Sequence, residues 1–214
     1  MDEEISIIDT KTRNEKIINF FINNKKKIIK ITSIILVLIF IFLSFDLIHK
    51  RNKIKLANQF NIATIDFEKN QKEKTVVELK NIINKHDTTY SPLALYFIID
   101  NNLINSKDEI NVLFDVLINK TNLKKEIKNL IIYKKGLYNA EFLNGNELIH
   151  ILSPIINSES TWKPHALYLI GEFFYSKNEK IKSREFFEKI LSLSVVNTDI
   201  KLQAQKRIQR DFSE

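Results

Sequence analysis

Between Lys30 and Asp46 the chain runs fifteen residues without a charge, "ITSIILVLIFIFLSF", with basic clusters on both sides. No other stretch restricts the fold as much. At about 1.5 Å per residue this run alone falls short of a hydrocarbon core about 30 Å thick. Widening it to Ile28–Ile48 admits only Lys30 and Asp46, both near the ends. The stem of Lys30 can carry its ammonium to the interface. A buried core helix is seldom apolar on every face between two basic clusters, so the segment reads as a membrane span. A cleavable leader starts close to the N-terminus and ends at a small-residue cleavage site. Here 24 residues precede the lysine cluster and "FDLIHKR" follows the apolar run, which predicts an anchor that stays in place.

Charge then sets an expected orientation. The first 30 residues hold seven basic side chains: Lys11, Arg13, Lys16, Lys25, Lys26, Lys27 and Lys30. The far side holds Lys50, Arg51, Lys53 and Lys55. The positive-inside bias favours a cytoplasmic N-terminus. Lys25–Lys27 also sit where anionic headgroups lie. The expected organisation is a cytoplasmic tail over 1–27, a transmembrane helix over 28–48 and a helical domain over 53–214.

That domain is expected to be all-α. Three Gly and three Pro in a chain with 44% hydrophobic residues argue against a turn-rich β protein. There is no Cys, so disulfides, thiolate metal sites and Cys nucleophiles are excluded. The formal net charge of +7 is spread along the chain. A nucleic-acid binder concentrates its charge, so no nucleic-acid partner is expected. Ala57, Phe60, Thr64 and Phe67 fall on one helical face, as do Val76, Leu79 and Ile83. Ile110, Leu113, Phe114 and Leu117 mark another helix, and Leu130, Tyr133, Leu137 and Ala140 a longer one. Pro92 and Pro164 follow Asn-, Asp- and Ser-rich breaks, where a helix start tolerates proline.

The two proline-led starts are alike. Pro92, Ala94, Leu95, Tyr96 and Ile98 recur as Pro164, Ala166, Leu167, Tyr168 and Ile170, 72 residues later. Two units of about 36 residues would leave that spacing. In "KPHALYLIGEFFYSKNEKIKSREFFEKIL" the expected packing stripe is Leu167, Ile170, Gly171 and Phe174. It faces Ser183, Phe187 and Ile190 of a second helix. Asn178 stands at the turn, suited to a left-handed residue. Gly in mid-helix costs about 1 kcal/mol relative to Ala, so Gly171 predicts a close approach. This order of residues resembles the tetratricopeptide (TPR) repeat, with Leu167, Asn178, Ser183, Ile190 and Val195 at positions where that repeat uses Trp, Gly, Ala, Ala and Pro. The resemblance implies a helical-hairpin solenoid with a groove lined by first helices.

A wider resemblance covers nearly the whole chain. A tail ending in "FFINNKKK", one span, and a divergent TPR domain containing "WKPHALYLIGE" are similar to the bacterial ancillary subunit of the Sec translocon. The stretch from Trp162 to Leu191 carries most of it. The resemblance implies an inner-membrane anchor, a periplasmic domain, and partnership with the SecYEG channel and a membrane-anchored periplasmic chaperone.

Catalysis finds no constellation. His49, His86, His150 and His165 are scattered without ligand spacing, and Gly136, Gly145 and Gly171 form no phosphate loop. The carboxylate pairs Asp108–Glu109 and Glu185–Glu188 suit solvated helix faces. The Asn119–Thr121 sequon matters only in a eukaryotic secretory setting. The expectation is no enzyme, no cofactor, no metal and no small-molecule substrate, with proteins as partners and lipid around the anchor. On the helix from Pro164 the face away from the packing stripe carries His165, Tyr168, Glu172 and Tyr175, the expected groove wall. Two other functions share the sequence features: an adaptor for envelope assembly or cell division, and a membrane-tethered enzyme.

Overall fold

The computed structural model describes residues 2–194 and 198–212, with side chains described at 15, 16, 18–44, 47, 48 and from 50 onward. Val195, the position of the repeat's closing proline, lies outside the described residues. No strand occurs among the described residues. Two compact units divide the chain, Met1–Lys55 and Leu56–Glu214.

The first unit belongs to helix α1 (Asp2–Glu68). Ile18–Ser44 of α1 is long and apolar enough to cross a membrane, with a mean hydropathy of 2.4 and none of it buried. This stretch begins ten residues before the 28–48 span expected from the charges. Hydropathy averaging passes over Lys25–Lys27, whereas an ammonium in hydrocarbon is costly. A span starting at Ile18 would place these three ammoniums within it, whereas one over 28–48 would not. Leu36, Phe40 and Phe42 are among the residues left exposed along the stretch.

The second unit takes the last turns of α1 and then α2 (Lys72–Ile83), α3 (Tyr90–Asp100), α4 (Lys107–Lys120), α5 (Lys125–Asn139), α6 (Gly145–Ile156), α7 (Lys163–Ser176), α8 (Lys180–Leu191) and α9 (Thr198–Asp211). From α2 onward each helix packs on the next in sequence, and α2 meets α4, α5 meets α7, and α7 meets α9. Short connections leave antiparallel neighbours as the simplest packing.

Local chemistry explains where the helices begin. Asp87 Oδ1 accepts from the amides of Thr89 and Tyr90 at 2.8 and 2.7 Å, opening α3. Ser106 caps α4 by accepting from Glu109 N at 3.3 Å. At α6 a reciprocal box forms. Asn144 Oδ1 accepts from Asn146 N and Glu147 N, while Asn144 N donates to Glu147 Oε2 at 2.8 Å. Helices α2 and α8 have no side-chain cap, because each follows a tight turn.

Those two turns share one geometry, a left-handed asparagine closing the helix end, which Asn102 also adopts after α3. Asn70 and Asn178 stand 108 positions apart with φ of 61° and 60°. Asn70 N donates to Phe67 O and Gln71 N to Asp66 O; Asn178 N donates to Tyr175 O and Glu179 N to Phe174 O, all within 2.9–3.0 Å. Past each turn a buried hydroxyl reaches back to the same carbonyl. Thr75 Oγ1 donates to Ala63 O at 3.2 Å and Ser183 Oγ to Gly171 O at 2.8 Å. The spacing of 108 is three units of the same length that separates Pro92 from Pro164 twice over.

Buried positions sixteen apart continue the pattern along the chain: Ala63 with Leu79, Ile98 with Phe114, Gly136 with Leu152, and Gly171 with Phe187. Two apolar clusters result, one around Leu79, Leu95, Phe114 and Leu117, the other around Leu152, Ile170, Phe187 and Ile190.

Two expected faces are rotated. Leu137 is 49% exposed, and the buried side of α5 is Asn129, Ile131, Ile132, Gly136 and Asn139. Asn139 joins it because its amide pairs with Asn111 in both directions and donates to Lys135 O. At the end of α1 the fully buried apolar residue is Ala63, while Phe60 packs from the side against Tyr90 and Phe97.

Candidate partner-binding surface

The start of α7 is positioned by α5. Glu126 Oε2 accepts from Ser160 Oγ (2.9 Å), Thr161 N (3.1 Å) and Thr161 Oγ1 (2.7 Å). Ser160 Oγ also accepts from Asn129 Nδ2 and Trp162 N. These hydrogen bonds, Thr161 first, hold the Glu126 carboxyl below the usual range. Pro164 then enters the first turn of α7, where its missing N–H costs nothing.

The expected packing stripe is buried throughout. Leu167, Ile170, Gly171 and Phe174 lie inside on α7, and Ser183, Phe187 and Ile190 inside on α8. A Cβ built on Gly171 would lie 2.7 Å from Phe187 Cε1, so the close approach is to an aromatic ring. The Ser183 hydroxyl fills the remaining polar need beside it.

The other stripe of α7 divides in two. His165 lies with Trp162 and Tyr133, its ring 5.1 Å from the first and 6.1 Å from the second. Trp162 and Tyr133 stack at 25°. His165 Nδ1 is buried without a hydrogen-bond partner. Tyr168, Glu172 and Tyr175 converge instead on Arg207 of α9. Arg207 Nε donates to Glu172 Oε1 at 2.6 Å, and its Nη2 pairs with Glu172 Oε2. Its Nη1 donates to Asp211 Oδ2 at 2.9 Å. The guanidinium carbon stands 4.7 Å over the Tyr175 ring, whose edge meets Phe212 at 6.0 Å. Tyr168 packs on Phe187 at 5.4 Å, and burial raises its hydroxyl pKa, helped by Glu172. Glu172 raises the pKa of Arg207 further; Arg210 and Arg207 hold Asp211 well below the usual carboxylate range.

The face expected to be a groove wall is thus half-buried and carries an intramolecular occupant. A shallow surface groove remains beside it, lined by Tyr168, Gln203, Lys206, Arg207, Gln209 and Arg210. No group of three metal-ligating side chains occurs among the described residues.

Arg207, Asp211 and Phe212 were not expected from the sequence. One signal for them exists. Tyr96 and Asp100 precede Tyr168 and Glu172 by 72 positions, and Lys134 of the following first helix stands 5.1 Å over the Tyr96 ring. In both places a cation comes from the helix two elements later, over Tyr96 itself in the first and over Tyr175 rather than Tyr168 in the second. Burial and Asp100 push Tyr96 up to about 12. Compared with known proteins, the chain matches no family model, no curated protein and no solved structure.

Proposed function

We propose that this protein is a membrane-anchored interaction scaffold, an ancillary subunit that sits beside the Sec translocon and links export to a periplasmic chaperone. The observation that carries this reading is an apolar helix of membrane-spanning length in a chain whose other helices pack one on the next. The like hairpins 108 positions apart, and the packing of α5 on α7 and α7 on α9, support a TPR-like solenoid. The seven basic residues before the span support a cytoplasmic N-terminus and a periplasmic domain in a bacterial inner membrane. The function is binding rather than catalysis, and partners bind along first helices such as α7.

The test is photocrosslinking in native membranes from two positions. One is Tyr168, on the proposed surface; the other is Ile181, which is 81% exposed on α8. Adducts with the channel and with a periplasmic chaperone are expected from Tyr168 and not from Ile181. Adducts solely with division or outer-membrane assembly proteins would replace the translocon reading with the adaptor reading.

A further inference from the structure

The occupant of the α7 face describes what that face recognises. Helix α9 has one fully buried residue, Ala204, whereas α8 has Ser183, Phe186, Phe187 and Ile190 inside. An element with so little buried opens before its neighbours. Around Ala204 its Ile200, Ile208 and Phe212 are only partly buried against the second apolar cluster, on α8 as well as α7, and its polar contacts to α7 lie close to solvent. Even in place, the side chains of Arg207 and Glu172 are 21% and 29% exposed. Opening therefore hydrates both charges and strands neither, so the contact can be made and broken repeatedly.

We propose that α9 is an internal stand-in for a partner helix, and that the α7 face, once α9 opens, binds a helix carrying an arginine followed five residues later by an aromatic. This rests on the reading that partners bind along α7. The chemistry is specific. Both oxygens of Glu172 are met by a guanidinium fork, which an ammonium cannot reproduce. The Tyr175 ring takes the cation over its face and Phe212 against its edge. A small residue, Ala204, lies three positions before the arginine and lets the backbone approach. The required pattern is small-x2-Arg-x4-aromatic on a helix. An acidic segment would meet the Glu172 carboxylate and is rejected.

The probe is a dye-labelled peptide of residues 198–212, titrated into the full chain in detergent, as wild type and as Arg207→Ala. Arg207→Ala weakens the internal copy, so this chain should bind the peptide at least ten-fold more tightly than wild type. A peptide carrying Arg207→Glu should bind neither, and adding Glu172→Gln to the Arg207→Ala chain should undo the gain. Hydrogen exchange of the wild type should show α9 amides exchanging ahead of those in α7 and α8. Equal peptide affinity for both chains, or exchange of α9 in step with α7 and α8, overturns the proposal. If Arg207→Ala loses its helical spectrum, Arg207→Lys replaces it, keeping the charge without the fork, with the same ordering expected. Peptide binding together with no crosslinked partner at α7 would reject the translocon reading and leave the α9 exchange intact.

Discussion

At Gly171 two effects of similar size oppose each other. Alanine there gains up to about 1 kcal/mol of helix propensity. The sequence alone left open whether that gain wins. The new methyl would sit 2.7 Å from Phe187 Cε1, on a fully buried ring packed by Tyr168 and Phe212. Overpacking of this kind costs roughly 1–3 kcal/mol, so the clash decides the sign. Gly171→Ala should lower the melting temperature, and Phe187→Leu in the same chain should recover part of the loss. An Ala variant melting at or above wild type would disprove the close approach. Next to it, Ser183→Ala removes the hydroxyl that donates to Gly171 O. That loss is worth about 0.5–1.5 kcal/mol, or a drop of roughly 2–4 °C per kcal/mol in a domain of this size. Thermal melts should show Thr75→Val behaving alike, because Thr75 makes the same reach to Ala63 O. The packing stripe was legible because apolar residues at helical spacing leave a plain signature. The hydroxyl bonds were not: Ser183 was expected only as a packing residue, and Thr75 belongs to no periodic pattern.

Among the elements, α7 and α8 were readable from proline, asparagine and the aromatic stripe, and α4 from four of its five buried residues. Helix α9 carries only a thin apolar stripe, Ile200, Ala204, Ile208 and Phe212 at every fourth position, which joins the second cluster. It is mostly charged and amide side chains around Ala204, and its role depends on Arg207 meeting Glu172 across 35 positions. A long-range polar contact has no period for a sequence to display. The α5 stripe misled for a related reason, since Asn129 and Asn139 are buried through their partners while Leu137 stays outside. The connection ahead of α7 carries a pH prediction. Glu126 is depressed by its hydrogen bonds to Thr161 and Ser160, so its stabilising contribution is fully present above the ordinary Glu value of about 4.3. It is lost as the pH falls through the folded value. The difference in stability between wild type and Glu126→Ala should therefore hold steady near neutrality and shrink in acid. A difference that widens in acid would contradict the assigned hydrogen bonds.

At the scale of the whole molecule, the apolar stretch of α1 and the helical unit make separate predictions. Alkaline carbonate should fail to extract the full chain from membranes, because Ile18–Ser44 includes an unbroken apolar run. Protease added to spheroplasts should digest the unit from Leu56 onward. Protection of that unit would reverse the proposed topology. Residues 56–214 alone should give a helical circular dichroism spectrum and a cooperative melt, since both apolar clusters lie inside that range. A strand-rich spectrum would contradict the fold. Two prolines 72 positions apart suggested a repeat, and the two hairpins most alike in hydrogen bonding stand 108 apart and share geometry more than residues. Ala63 stands for Gly171 and Leu79 for Phe187. The buried hydroxyls of Thr75 and Ser183, each reaching back twelve residues to a helix carbonyl, are what the two hairpins share.

The box that opens α6 also sets how the protein ages. Asn144–Gly145 is the dipeptide most prone to losing its amide, because glycine lets its own nitrogen swing onto the asparagine side-chain carbonyl. Here that oxygen is held by Asn146 N and Glu147 N, and Gly145 is fixed in the first helical turn beneath the Phe174 ring. The ring-closing attack must wait until that turn comes apart. Its main product, isoaspartate, lengthens the backbone by one carbon and cannot rebuild the cap. Each opening of α6 thus risks a lasting chemical scar at Asn144, and the fraction scarred after storage records how often the turn has opened.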